Sequence, residues 1–392
     1  MTRPTLLPLF AALLTALLAV PASAGKAAPT TSKESLQTPK ESFLDPTEPT
    51  KIPEEKPDGK ERAPVETIYA YGNTVIITDD CEVDEVRVYT DGVENTYDSS
   101  DLKEIYVDLT GTNNWFEYSA GAATNQLIHD RHVVIAGGSQ FDTIDLGLTS
   151  NEIGFGQLTV QAQIRFDVAT GNGLDTLGLR LDHVGENGHL TVDADLGGND
   201  DWCTTAVYGQ IRGDLNLHLG GGSNDSVDLF DLLFSCDVLP GGSLNLMCHG
   251  GHNYDSVKCR YRGIVEGNAA FYLYGNDFYD LETLPIDFSN FSDEDKWYLA
   301  ELNKKERDSM LLEIQLEEGS NGNVTATVED GLGDDDLAVQ IYQDAGSNAA
   351  IDAELNGGYG YDWWYATGHN GEPGEFVEID NVESFDPGLA LD

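Results

Sequence analysis

One strand-sized segment recurs along this chain and limits what it can fold into more than any other feature. A small turn residue opens it, and apolar and polar residues then alternate. The clearest copy runs from Gly188 to Leu196, with Leu190, Val192, Ala194 and Leu196 as its apolar row. The pattern returns from Gly213 to Leu219, Gly242 to Cys248, Gly267 to Leu273, Gly322 to Val328 and Ser347 to Leu355. An earlier relative spans Gln157 to Ala162. Period-two alternation sends one row of side chains into a core and the other towards solvent.

Between these strands lies a glycine-rich turn that closes on an aspartate. Gly137-Gly138 leads to Asp142, Gly171 and Gly173 to Asp175, Gly197-Gly198 to Asp201, and Gly220-Gly221 to Asp225. Gly250-Gly251 leads to Asp255, Gly331 and Gly333 to Asp335, and Gly357-Gly358 to Asp362; a decayed copy runs from Gly275 to Asp280. Successive aspartates stand 33, 26, 24 and 30 residues apart from Asp142 to Asp255, and 27 apart from Asp335 to Asp362. The 80 residues from Asp255 to Asp335 read as three steps. Strand glycine and turn aspartate keep an offset of 13 in four copies and 12 in a fifth. Periods of this size denote a repeat array. Two short strands per unit, without a helical pattern, predict an all-β fold over residues 66–392. The architecture expected is a β-solenoid, parallel β-helix-like, with each coil covering the apolar row of the last.

One segment departs from the rhythm. Residues 292–307, with acids early, bases late and Trp297, Leu299 and Leu302 at helical spacing, read as an amphipathic helical insertion. It serves either as a partner-binding element or as cover for an exposed sheet edge. Ahead of the repeats, residues 1–24 combine Arg3, an apolar run and the small-residue end Ala22-Ser23-Ala24. Those are the parts of a secretory signal peptide, and the run is short for a membrane span. Residues 25–65, dominated by Lys, Glu, Pro, Thr and Ser, read as a disordered linker. The expected location is therefore secreted, extracellular or at the cell surface, with no transmembrane segment in the mature chain.

Charge narrows the partners. With 69 acidic against 21 basic residues and a net charge of −48, the chain is not expected to bind nucleic acid. Such charge opposes compaction, and divalent cations or a salty habitat would relieve it. The five cysteines leave at least one thiol unpaired, and Cys248 with Cys259 flank one turn, so a local disulfide between them is conceivable.

The turn pattern Gly-Gly-x-Gly-x-Asp-x-(large apolar)-x, matched at every defined position from Gly357 to Tyr365, resembles the calcium-binding nonapeptide of the RTX repeats. That resemblance implies Ca²⁺ held by turn carbonyls and by the carboxylates of Asp142, Asp175, Asp201, Asp225, Asp255, Asp335 and Asp362. RTX motifs run in tandem, however, whereas here one motif occurs per coil. Glycine and asparagine are also ordinary turn residues, and an aspartate there can cap backbone amides without metal. Against capping alone stands the mutual repulsion of stacked carboxylates, which a cation removes.

Catalytic motifs are missing. No Gly-x-Ser-x-Gly, His-Glu-x-x-His or P-loop pattern occurs, and the eight histidines show no triad or metal spacing. His218 and His249 fall on outward strand positions. Trp363, Trp364, Tyr359, Tyr361 and Tyr365 crowd the last turn, and Tyr272 and Tyr274 take outward positions; these form a recognition platform or, at the last turn, a terminal cap. The expected function is a calcium-stabilised structural or adhesive component, with extracellular polysaccharide or a cell-surface protein as partner. The alternatives are a carbohydrate-active enzyme (lyase or hydrolase) on a β-helix scaffold, or a glycan-binding module.

Overall fold

The computed structural model describes residues 65–121, 124–149, 158–222, 227–251, 254–275, 308–330, 335–357, 363–367, 377–380 and 384–385. Among them there is no helix; the strands form two long sheets. The first sheet contains, in spatial as in chain order, Thr67–Gly72, Glu104–Leu109, Arg131–Ala136, Gln163–Ala169, His189–Asp195, Asp214–Gly220, Ser243–His249, Asn268–Tyr274, Asn323–Glu329, Ala350–Asn356 and Val377–Asp380. The second contains Thr74–Asp80, Asn113–Ala120, Phe141–Leu148, Thr176–Leu181, Trp202–Ile211, Leu229–Val238, Ser256–Gly263, Ser309–Leu316, Asp336–Gln343, Trp363–Thr367 and Ser384–Phe385. Strands of the two sheets alternate along the chain, so each coil contributes one to each sheet. Every pairing within these two series is parallel.

The expected all-β class is therefore present, with long parallel sheets compatible with a solenoid. Register follows the alternation seen in the sequence. Leu190, Leu215, Leu244, Ala269 and Val324 lie in line across the first sheet, and Cys203, Phe230, Val257 and Met310 across the second. All of these are buried. A one-residue slip would turn an entire row to solvent, which fixes the register. The outward rows hold polar ladders: Asn245 Nδ2 donates to Asn216 Oδ1 at 2.8 Å and Asn323 Nδ2 to Asn268 Oδ1 at 2.9 Å.

At the N-terminal end, Thr74–Asp80, Glu85–Thr90 and Val93–Asp98 form an antiparallel meander on the second sheet. It encloses a buried charge. Arg131 donates to Asp79 at 2.8 Å, to the Ser99 carbonyl at 2.8 Å and to the Leu102 carbonyl at 2.5 Å, while the Tyr118 hydroxyl donates to Asp79 at 3.0 Å. With both charges paired and hydrogen-bonded, this guanidinium is retained away from water.

Several sequence expectations need correction. In the segment read from Gln157 to Ala162, the described residues from Leu158 onward are not a first-sheet strand: Thr159–Val160 joins Gln126–Leu127 and His183–Val184 in a short third row, and Gln163–Ala169 takes the first-sheet place. The interval from Asp255 to Asp335 holds two steps rather than three, because Asn268 pairs directly with Asn323 and Ser256 with Ser309. The expected helix at 292–307 and the copy ending at Asp280 lie outside the described residues. No disulfide joins Cys248 to Cys259. They belong to different sheets and are buried free thiols that fill core positions.

Because Leu246 is fully buried in a close-packed stack, Leu246→Ala is expected to cost about 2–5 kcal/mol. Tyr208→Ala, at a side chain 45% exposed, is expected to stay within about 0.5 kcal/mol. Denaturant midpoints of the two variants check the contrast.

Candidate functional site

The turn aspartates form one continuous buried ladder. The amide of Asp142 donates to Asp175 Oδ1 at 2.7 Å, that of Asp175 to Asp201 at 2.7 Å, and that of Asp201 to Asp228 at 2.8 Å. It continues from Asp228 to Asp255 at 2.8 Å, Asp255 to Asp308 at 2.8 Å and Asp308 to Asp335 at 2.9 Å. The carbonyl side of each rung is ordinary parallel sheet: Trp202 N–H donates to the Asp175 carbonyl, Leu229 to Asp201, Ser256 to Asp228 and Ser309 to Asp255. The carboxylate thus serves as acceptor on the side where the turn supplies no carbonyl. Each aspartate caps the amide of the coil before it, and an unpaired buried amide would cost about as much as a lost hydrogen bond.

Glycines let the turns stack this closely. Gly171, Gly197, Gly222 and Gly251 all have φ between 88° and 114°. A Cβ on any of them would collide with the carbonyl of the stacked glycine one coil earlier: Gly138, Gly171, Gly197 and Gly222 respectively. Left-handed backbone and a missing side chain are both required at this one position.

Of the seven aspartates read as calcium ligands, Asp142, Asp175, Asp201, Asp255 and Asp335 sit on the ladder. Asp225 and Asp362 lie outside the described residues, and the rung between Asp201 and Asp255 is Asp228, not Asp225. The stacked glycine precedes its aspartate by four residues in the coils of Gly138, Gly171, Gly197 and Gly251, but by six in that of Gly222. Two extra turn residues therefore displace the motif from the rung. Asp308 was also missed, because no glycine pair precedes it. Steps of 27 residues from Asp201 to Asp228, Asp228 to Asp255 and Asp308 to Asp335 carry the signal that finds both. Asn114 begins the series, its side-chain amide donating to Asp142 at 2.5 Å.

Burial gives four of these carboxylates unusual proton affinity. It raises Asp175 to about 6 and, reinforced by Asp228 and Asp175, Asp201 to about 8. Burial raises Asp308 and Asp335 strongly as well, with Asp330 the largest charge contribution for each. In Asp308, Asp330 and Asp335 one oxygen of each carboxyl lies within 4.8 Å of the others, and all three residues are buried. No other group of three acidic, histidine or cysteine side chains among the described residues converges so closely. Most predicted ligands are therefore stacked singly rather than clustered.

The outward side of the first sheet carries a second polar feature. Lys103, His132, Arg165 and His189 line a shallow groove of about 560 Å³. His132 pairs with Asp167 at 2.7 Å, Arg165 with Asp167 and Asp193 at 2.7 Å each, His218 with Asp193 at 2.6 Å and His189 with Asp214 at 2.7 Å. His249 occupies its expected outward position, half-buried, with its ring stacked 4.9 Å from that of Tyr274. In the last turn, Trp364 packs against the core while Trp363 is exposed; Tyr359 and Tyr361 lie outside the described residues.

No family model matches the chain, and neither the curated proteins nor the solved structures contain a significant match.

The ladder generates a pH prediction. Burial raises the Asp201 carboxyl to about 8 in the folded chain, from the ordinary 3.8 of an aspartate. Between those values the folded chain retains a proton that the unfolded chain has released, so stability is lost as pH rises across the window. In metal-free buffer, Asp201→Asn keeps the Oδ1 acceptor and is expected to flatten the fall in Tm between about pH 4 and pH 8. Thermal melts across that range measure it.

Proposed function

We propose that this chain is an exported β-solenoid whose stacked, acidic coils make a calcium-stabilised structural or adhesive element of the cell envelope or extracellular space. The signal-peptide pattern of residues 1–24 and the linker composition of residues 25–65 support export. The single observation that carries the structural part is the ladder, which gives one cross-coil capping bond to every coil from Asp142 to Asp335. In such an arrangement each coil is stabilised chiefly by its neighbours. Calcium fits this account because a file of buried carboxylates in a chain of net charge −48 gains most from a hard cation. A ligand that binds only the folded chain, at about 100 times its Kd, adds about 2.7 kcal/mol of stability. Calcium is therefore expected to raise Tm by at least about 3 °C over EDTA at fixed ionic strength. Melting unchanged by chelation would contradict the calcium reading.

A saccharide-directed reading is favoured by one observation, the groove that gathers Lys103, His132, Arg165 and His189, beside Glu104 and Asp130, in an otherwise acidic protein. Basic and imidazole groups there suit an acidic polysaccharide, either as a bound ligand or as the substrate of a lyase. Incubation with such polysaccharides, followed by the ultraviolet absorbance of unsaturated products, separates the two. Product formation lost in Arg165→Ala would make the chain an enzyme; retention of the polysaccharide without product would make it a binding module.

A further inference from the structure

The ladder is regular except at one place, where a third carboxylate enters it. From Arg131–Ala136 to Asn268–Tyr274, the residue that follows a first-sheet strand is glycine in four coils, Gly137, Gly221, Gly250 and Gly275, and Thr170 and Leu196 in two others. After Asn323–Glu329 the same position is Asp330. Its neighbours across the coils are fixed by backbone bonds: Gly275 N–H donates to the Glu329 carbonyl at 3.0 Å and Asp330 N–H to the Asn356 carbonyl at 2.9 Å. Asp330 therefore brings an additional carboxylate to Asp308 and Asp335, which already form consecutive rungs.

We infer that Asp308, Asp330 and Asp335 form a binding site for one divalent cation, with calcium as its fitting occupant. The inference rests on the calcium reading above and narrows it to one place. Two observations beyond acidity support it. Asp308 is fully buried, its Oδ1 accepts the Asp255 amide, and its Oδ2 meets no backbone or hydroxyl donor, the side chain instead facing the Asp330 carboxyl. A Cβ on Gly275 would stand 2.5 Å from Asp308 Oδ2 and 2.5 Å from Asp330 Oδ1. The two oxygens thus converge over the bare face of that glycine, which a side chain would fill. A buried carboxylate oxygen facing another carboxyl is costly, and a hard cation shared among three carboxylates satisfies it.

The ligand set differs from the glycine-rich motif. Of the three residues only Asp335 is the motif aspartate; Asp308 follows Arg307 without a glycine pair, and Asp330 stands where four other coils have Gly137, Gly221, Gly250 and Gly275. The site also joins two coils. Gly275 and Asp308 bracket residues 276–307, and a cation would tie the returning chain at Asp308 to Asp330 and Asp335.

The test is calorimetric titration of Ca²⁺ into the metal-free full chain, beside Asp330→Gly and Asp308→Asn. Asp330→Gly restores the residue found at the same place in other coils, and Asp308→Asn keeps an oxygen for the Asp255 amide, so both leave the ladder its hydrogen bonds. The wild-type protein is expected to show a one-site component that both variants weaken at least about tenfold, and to lose its calcium-dependent rise in Tm with it. Identical titrations of wild-type and variants would overturn this site. If the calcium-dependent Tm rise persisted in those variants, the general calcium reading would stand and only the location would fall. Absence of any calcium effect on the wild-type chain would remove both.

Discussion

The interaction on which the rest of this structure depends is a hydrogen bond from the backbone amide of one aspartate to the side chain of the aspartate one coil later. Parallel sheet supplies a carbonyl for most amides, but at the entrance to each second-sheet strand the turn has none to offer. A carboxylate of the right length fills that gap and leaves its own amide for the next rung. The device is self-propagating: each aspartate is acceptor for the coil before it and donor to the coil after it. An ionised acceptor would make such a bond stronger than a neutral one, yet lining carboxyls up along one buried line favours their protonated form at several rungs.

Two consequences follow from that line of carboxyls. Burial and neighbouring carboxylates raise the proton affinity of Asp201, Asp308 and Asp335, so protons or cations become part of the folded state. The turn must also remain thin enough for carboxylates and backbones to stack, which is why Gly171, Gly197, Gly222 and Gly251 lie above one another. The glycine pairs and the aspartates are thus two halves of one requirement, close approach and amide capping, and neither by itself specifies a metal.

Much of this was legible in the sequence, for a physical reason. Period-two alternation decides which side chains face the core, so the rows through Leu190, Leu215 and Leu244 were readable before any coordinates. Asp142, Asp175, Asp201, Asp255 and Asp335 were readable from turn chemistry. Asp228 and Asp308 were hidden because rung position is set by register, whereas a motif is set by local sequence. Two extra turn residues separated the two at Asp228, and the segment ending at residue 307 did so at Asp308. The short strand Thr159–Val160 misled in the opposite direction, since its alternation is genuine but belongs to a third row. The convergence of Asp308, Asp330 and Asp335 joins residues from adjacent coils, and no single-repeat pattern reveals it.

Amide hydrogen exchange at the rung residues tests the central claim most directly. If the carboxylates cap them, the amides of Asp142, Asp175, Asp201, Asp228, Asp255 and Asp308 will exchange as slowly as those inside the neighbouring strands, although all but Asp142 stand just before a strand begins. Exchange at these six positions as fast as in solvent-exposed turns would contradict the ladder and the account built on it.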